Sequence, residues 1–336
     1  MGRLRVGIIG LGVGSKYIPW IIGNDLFELS AVCDFNESKI QEFILTYPHI
    51  PTTLNSSELI NSFDLDVVLI ASYDDYHFEQ VIDCVESGKH VFVEKPLALF
   101  KHQAEAIKEA LTKNPHIKLS SNLPLRSCPR FINLKKEIST GAMGNVYHLE
   151  ADYLWGRTEK LVQGWRKDME YYSIIHGASV HMVDLVLWLT GKKVRAVYGL
   201  GNNLVTENYD FKYNDFAATL LKFEDGSSAK ICSHGGCVHP HFHSLKVFGS
   251  KKTFVQDLIS SYWVDSCNPD EEILKDTFEY PAKASRGNIL ESFLLFCLDD
   301  KCEPLVTADD VFKSMSVCYA AQKATDENTL IEVNYI

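Results

Sequence analysis

The chain holds 336 residues, 46% of them hydrophobic and 23% charged, which excludes a disordered or fibrous protein and suits two globular domains. Asp and Glu total 44 against 33 Lys and Arg, so the net charge is −11, which argues against binding a nucleic-acid backbone over a broad surface. Nine cysteines, odd in number and without a C-x-x-C pair, fit buried thiols in a reducing cytoplasm, and no apolar stretch reaches the ~20 residues of a membrane span.

The first apolar run follows Arg3 and Arg5 and has the outline of a signal peptide. Its glycines, Gly7, Gly10 and Gly12, instead favour a buried strand from Leu4 to Ile9 and a tight turn. Gly10-Leu11-Gly12-Val13-Gly14 forms that turn, Lys16 to Ile22 reads as a short helix, and a second strand, Phe27 to Cys33, ends at Asp34. A glycine turn between strand and helix lets the backbone approach a pyrophosphate, and an acid about 20 residues on takes the ribose hydroxyls. Gly10, Gly12, Val13, Gly14 and Asp34 are therefore candidate dinucleotide ligands. The turn is imperfect, since Ser15 stands where a third glycine is expected, and a purely structural turn is the alternative. Asp34 repels a 2′-phosphate, which favours NAD over NADP; Lys39 is the nearest cation and weakens that preference.

Helices at Glu37 to Thr46 and Ser56 to Ser62, the latter with serines placed to cap it, continue the series. Strands at Val67 to Ala71, His90 to Val93 and Lys118 to Ser121 alternate with helices at His77 to Ser87 and Lys101 to Thr112. Repeated βα units imply a doubly wound parallel sheet with its ligand beyond the carboxyl ends of the strands. Ser72, Asp74 and His77 follow one strand end, and Glu94-Lys95-Pro96 the next, so these residues join the candidate cofactor site.

The segment Gly88-Lys89-His90-Val91-Phe92-Val93-Glu94-Lys95-Pro96-Leu97 resembles the signature of the glucose–fructose oxidoreductase and inositol dehydrogenase family (Gfo/Idh/MocA). The opening Val6 to Gly12, the Ser72 to His77 loop and the later Gly177 to Asp184 segment agree in order and spacing, so the resemblance runs along essentially the whole chain. It implies an α/β protein, with an N-terminal Rossmann domain over residues 1–121. A C-terminal α+β domain over 122–336 would carry a large, open, mostly antiparallel sheet. Strand-like runs at Asn145 to Tyr153, Arg195 to Gly201, Phe216 to Phe223, Ser228 to Cys232 and Ser244 to Phe248 suit that sheet. Val180 to Thr190, Ile289 to Leu298 and Ala308 to Asp326 read as helices.

The resemblance further implies NAD(P)-dependent hydride transfer to or from a hydroxyl-bearing carbon of a sugar, cyclitol or nucleotide sugar. Lys95 and His181 match the family's catalytic lysine and histidine, which handle the hydroxyl proton and the developing alkoxide. Asp184, three residues on along the same helix face, is expected to orient the imidazole or bind a substrate hydroxyl. The family's aspartate four residues before that histidine is replaced by Gly177; two readings follow, that His176 supplies a substitute polar group or that the substrate lacks the hydroxyl the aspartate would bind. Trp165 and Arg166 match residues near the nicotinamide, while Arg126, Arg130 and Arg157 are candidates for holding an anionic substrate, ordinary surface charge being the alternative. His239, His241 and His243 alternate, but Pro240 interrupts the strand that would align them, and no metal is expected. Two other readings stay open: a non-catalytic NAD(H)-binding sensor, and a glycoside hydrolase that uses NAD transiently. A homodimer or homotetramer is implied, since an open sheet face needs cover.

Overall fold

The glycine-bounded run Leu4–Ile9 forms β1, the centre of a six-stranded parallel sheet. A computed structural model describes residues 2–281, 283–285 and 287–336. β2 is Phe27–Cys33, β3 Thr52–Thr53, β4 Val67–Ile70, β5 His90–Val93 and β6 Leu119–Ser121, in the order β3-β2-β1-β4-β5-β6. Every residue of β4, Val-Val-Leu-Ile, is buried, as a strand covered by helices on both faces requires. The covering helices are α1 (Ile18–Ile22), α2 (Glu37–Thr46), α3 (Ser56–Ser62), α4 (His77–Glu86) and α5 (Lys101–Lys113). α3 is capped by Asn55, whose Oδ1 accepts the N–H groups of Ser57 and Glu58 at 2.9 and 3.2 Å; the serines lie inside the first turn, which corrects the expected cap. β3, two residues long, carries too little pattern to be read from sequence. The strand order reverses between β1 and β4, so the loops that follow them flank a topological switch point.

The second half builds a nine-stranded sheet. Its elements are α6 (Pro129–Ser139), β7 (Val146–Leu154), α7 (Thr158–Val162), α8 (Val180–Thr190), β8 (Val194–Asn202), β9 (Phe216–Phe223), β10 (Ser228–His234), β11 (Phe242–Gly249), β12 (Thr253–Gln256), β13 (Ser261–Val264) and β14 (Leu274–Lys275). After α9 (Asn288–Leu298) and α10 (Ala308–Glu327), β15 (Leu330–Glu332) completes the order β14-β13-β12-β11-β7-β10-β9-β8-β15. Only β7 and β10 pair in parallel among the described strands of this sheet. Along β7, buried Leu149, Ala151 and Tyr153 alternate with partly exposed His148, Glu150 and Asp152. One sheet face is therefore covered, by α8 among others, and the other is open.

Contacts divide the chain into two units. The first comprises the residues up to Pro124 with Ala284–Phe312 and Ile336; the second comprises Leu125–Lys283 and Lys313–Tyr335. Residues 284–312 rejoin the first unit because α9 carries an apolar face, Ile289, Leu290, Phe293 and Leu294, that finds its cover there. The Phe293 ring lies 5.7 Å from that of Phe92 on β5.

Candidate active site

In the first unit, β1 delivers the chain to Gly10, whose φ of +92° suits glycine alone, and a Cβ there would collide with the Ala71 carbonyl. Gly12 has open space on that side, with the Lys39 ammonium 3.6 Å from where a Cβ would stand. The buried carboxylate of Asp34 accepts the Leu11 N–H at 2.8 Å and the Asn36 N–H at 2.9 Å, which ties the glycine turn to the end of β2. Lys39 lies 3.2 Å from the same carboxylate. A turn that only glycine can make, beside an oriented acid, fits the pyrophosphate and ribose of a dinucleotide. Asp34→Asn is expected to weaken NADH binding about 10-fold or more and to narrow its advantage over NADPH, since hydrogen bonds to a charged group are at stake. Fluorescence titration with both dinucleotides checks this; an unchanged ratio contradicts it.

The loops after β4 and β5 are bound to one another. His77, fully buried at the start of α4, places Nδ1 2.7 Å from the Pro96 carbonyl oxygen and Nε2 3.3 Å from that of Ser72. Ser72 donates to Gln80 at 2.7 Å. Glu94 is buried and accepts from the Tyr17 hydroxyl at 2.5 Å and from Asn122 at 2.9 Å. Burial and the Glu94 charge together push the Tyr17 phenol well above its ordinary pKa, so it stays a donor. Asp74 is buried beside this loop, and Lys95 is half-buried, its peptide to Pro96 cis. The polar groups around Lys95 thus fix the backbone that carries it. Tyr17 and Asn122 escape sequence reading because their partner lies on a distant loop.

In the second unit, α8 carries His181 and Asp184, both buried. A π-helical turn, Ile175–Ser179, leads into it, and Ser179 shares a 2.5 Å hydrogen bond with Ser233 of β10. Such turns are frequent at functional sites. The His181 ring stacks on Tyr153 of β7, with centroids 5.6 Å apart and planes at 14°. His241 and His243 lie against the same phenol ring at 5.1 and 5.0 Å. His243 Nδ1 meets the Tyr280 hydroxyl at 2.5 Å. His239 stands apart, its ring 6.3 Å from Phe242, because β11 begins only after Pro240. Elsewhere in the sheet, Asp152, Cys232 and His234 bring ligand atoms within 4.8 Å of one another, with Lys230 3.2 Å from the Asp152 carboxylate.

Arg126 and Asp184 meet each other. Arg126 Nε lies 3.0 Å from Oδ2, and Nη2 2.7 Å from Oδ1, with side chains 4% and 1% exposed. Ser314 adds a hydrogen bond at 3.2 Å. This pairing competes with the substrate contacts expected of either residue. Arg130 is likewise committed, 3.3 Å from Asp276. At Gly177 a Cβ would stand 2.9 Å from the Tyr172 hydroxyl, so Tyr172 already fills the space a residue-177 side chain would need. Trp165 and Arg166 sit in a 3₁₀ turn, the guanidinium 4.2 Å from the Trp165 ring centre.

His176 is buried against Tyr319, and neither ring nitrogen makes a hydrogen bond to a described residue. Burial, opposed by the Cys318 backbone, drives its pKa down to about 4; burial and His241 drive that of His243 down to about 3. Both stay neutral in the folded chain where a free imidazole, near 6.5, takes up a proton. The unfolded state therefore binds more protons below about pH 6.5, so stability is fully present above that pH and declines as pH falls towards 4. Urea midpoints should follow this, with a shallower decline in His176→Phe; the same slope in both proteins contradicts it.

Among the described residues all nine cysteines are free; contrary to the expectation of burial, Cys237, Cys297 and Cys302 are only half-buried, and Cys267 is exposed because it lies in the loop between β13 and β14. No helix of the described residues is long and apolar enough to cross a membrane.

Residues 4–122 match the model of the Gfo/Idh/MocA oxidoreductase family with its NAD-binding Rossmann fold, and residues 131–255 match the C-terminal domain of the same family. Myo-inositol 2-dehydrogenase of Thermotoga maritima is 25% identical over 99% of both chains. An uncharacterized Escherichia coli oxidoreductase, YdgJ, is 29% identical over 83% of this chain and 76% of its own. In fold, levoglucosan dehydrogenase in complex with NADH and levoglucosan aligns with a TM-score of 0.87 at 17% identity, over 99% of this chain and 100% of its own. Myo-inositol 2-dehydrogenase from Lactobacillus plantarum aligns with a TM-score of 0.84 at 20% identity, over 99% and 100%. With the glycine turn, the Asp34 carboxylate and the Glu94-Lys95-Pro96 loop in place, the chain belongs to the Gfo/Idh/MocA family of oxidoreductases, built on an NAD-binding Rossmann fold.

Proposed function

We propose that this protein is an NAD-dependent dehydrogenase that oxidises a carbinol carbon of a sugar or cyclitol, or reduces the matching ketone. The observation that carries the reading is the Gly10–Asp34 dinucleotide cradle joined, through the His77-braced loop, to Lys95. The similarity to myo-inositol 2-dehydrogenase along nearly the whole chain supports the substrate class. NAD, when bound, supplies the hydride acceptor. Asp34 holds the ribose, and Gly10, Gly12, Val13 and Gly14 offer backbone to the pyrophosphate. In oxidation, the Lys95 amine takes the hydroxyl proton as the carbon–hydrogen bond breaks, so the carbonyl forms without a free alkoxide. His181, its ring held face-on by Tyr153, is the second residue that the family likeness points to as a general acid or base for the hydroxyl.

A panel of cyclitols, aldoses and sugar acids, incubated with NAD and followed by the absorbance of reduced nicotinamide, tests this. Turnover on a polyol is expected. Tight cofactor binding with no turnover on any member contradicts it, as does glycoside cleavage without reduced nicotinamide. A reducing compartment, the cytoplasm, suits the nine free cysteines. A homo-oligomer suits the open sheet face, where Leu200 and Leu220 are exposed; sedimentation of a monomer at micromolar concentration contradicts that part.

A further inference from the structure

The sequence offers three arginines of the second unit for an anion, Arg126, Arg130 and Arg157, and sets Arg166 near the nicotinamide. Arg126 and Arg130 are each within 3.3 Å of an aspartate. Arg157 and Arg166 form no ion pair with a described residue, and Arg166 Nε is buried without a hydrogen bond to one. The Arg166 guanidinium is packed against aromatic rings, with centroids of Trp165, Trp155 and Tyr172 at 4.2, 5.4 and 6.0 Å. Rings hold a guanidinium by its faces and leave its N–H edge to bond oxygens in its plane. Both arginines act through their charge on one phenol, Tyr153, opposing the burial that drives its pKa up to about 12. That phenol is the ring stacked on His181. Geometry ties Arg166 to the same end of β7, since Trp155, on which it packs, follows Tyr153 by two residues, and Arg157 follows Trp155 by two more.

We propose that Arg157 and Arg166 bind an anionic substituent, a carboxylate or a phosphate, on the polyol that His181 addresses. This rests on the reading of His181 given above, and it narrows the substrate class to acidic sugars or cyclitols. Arg166, clamped by Trp165, supplies the fixed bidentate edge; Arg157, exposed at the start of α7, supplies the outer charge. A neutral polyol offers only hydroxyl oxygens, weaker acceptors than a carboxylate or phosphate and without a counter-charge for either guanidinium, and that difference is the source of discrimination.

The test is calorimetric titration of the full chain saturated with NADH, using matched sets: glucose, glucuronate and glucose 6-phosphate; galactose and galacturonate; myo-inositol and an inositol monophosphate. An anionic member is expected to bind about 10- to 100-fold more tightly than its neutral counterpart. Whether the uronates or the phosphates lead identifies the anion. Arg157→Gln and Arg166→Gln should each reduce that ratio, and the double variant should bring it close to one. Arg166→Lys, which keeps the charge, should retain part of it; this separates charge from packing. The proposal is overturned if no anionic member binds more tightly than its neutral counterpart, or if the advantage survives in the double variant. It is also overturned if the double variant loses NADH affinity while the ratio stands, which would assign the arginines to the dinucleotide. Turnover on the same samples keeps the two readings apart. An anionic advantage without hydride transfer would sink the dehydrogenase reading alone, and transfer from polyols without the advantage would sink this one alone.

Discussion

Lys95→Met is expected to lower kcat about 10²- to 10⁴-fold, the range by which positioned proton transfer accelerates such steps. Methionine keeps the length and the apolar stem of lysine and removes only the group that takes the proton. The backbone under residue 95 is held by other side chains. Glu94 is held by Tyr17 and Asn122, and the Pro96 carbonyl by His77, so the loop should stand in the variant. KM should change less than kcat, because the lost interaction is made chiefly as the alkoxide develops. Lys95→Arg should recover little, since a guanidinium does not release its proton near neutral pH. Steady-state kinetics on any polyol that the protein turns over decide the matter; undiminished turnover in Lys95→Met removes Lys95 from the mechanism.

Breaking the Arg126–Asp184 pair should cost stability more than any other single change considered. Asp184→Ala leaves a buried guanidinium uncompensated, and Arg126→Met leaves a buried carboxylate. Either is expected to destabilise the second unit by about 3–5 kcal/mol. The double replacement Arg126→Met with Asp184→Leu removes both charges and fills the space with apolar volume, so it should regain most of the loss. Urea unfolding measures all three. Equal destabilisation in the double and single variants would mean that packing, rather than charge pairing, is at stake. Normal stability in the single variants would mean that Asp184 is available for a substrate hydroxyl, as the sequence alone suggests.

The first unit was legible because its chemistry is local. A parallel strand buried on both faces is a continuous apolar run, a turn needing positive φ shows its glycine, and a ribose-binding acid stands at a fixed distance along the chain. Gly10, Asp34 and the loop around Lys95 all fall within one or two βα units. The second unit hides more. Tyr153 is one aromatic residue in a strand until β7 carries it beneath His181. Tyr172 has no motif, yet its hydroxyl fills the space beside Gly177, where the family's aspartate is replaced. Arg126, Arg130 and Arg157 are indistinguishable in sequence until the first two find aspartates that lie 58 and 146 residues away along the chain. Pro240 shows in sequence that the alternating histidines are not one regular set, but not that His241 and His243 reach Tyr153. Serines suggest the cap of α3, yet they lie inside its first turn, and Asn55, one residue before the helix, has the side-chain carbonyl that performs it.

The central claim is that this chain moves a hydride from a carbinol carbon to NAD. It is tested most directly by isotope transfer. The protein is incubated with NAD and polyols deuterated at their carbinol carbons, and the nicotinamide is analysed by mass spectrometry. One deuterium per reduced nicotinamide, carried at C4, is the expected result, with its appearance strongly slowed in Lys95→Met. Reduced nicotinamide that carries no deuterium, or a cofactor that binds and is never reduced across the panel, would contradict the account.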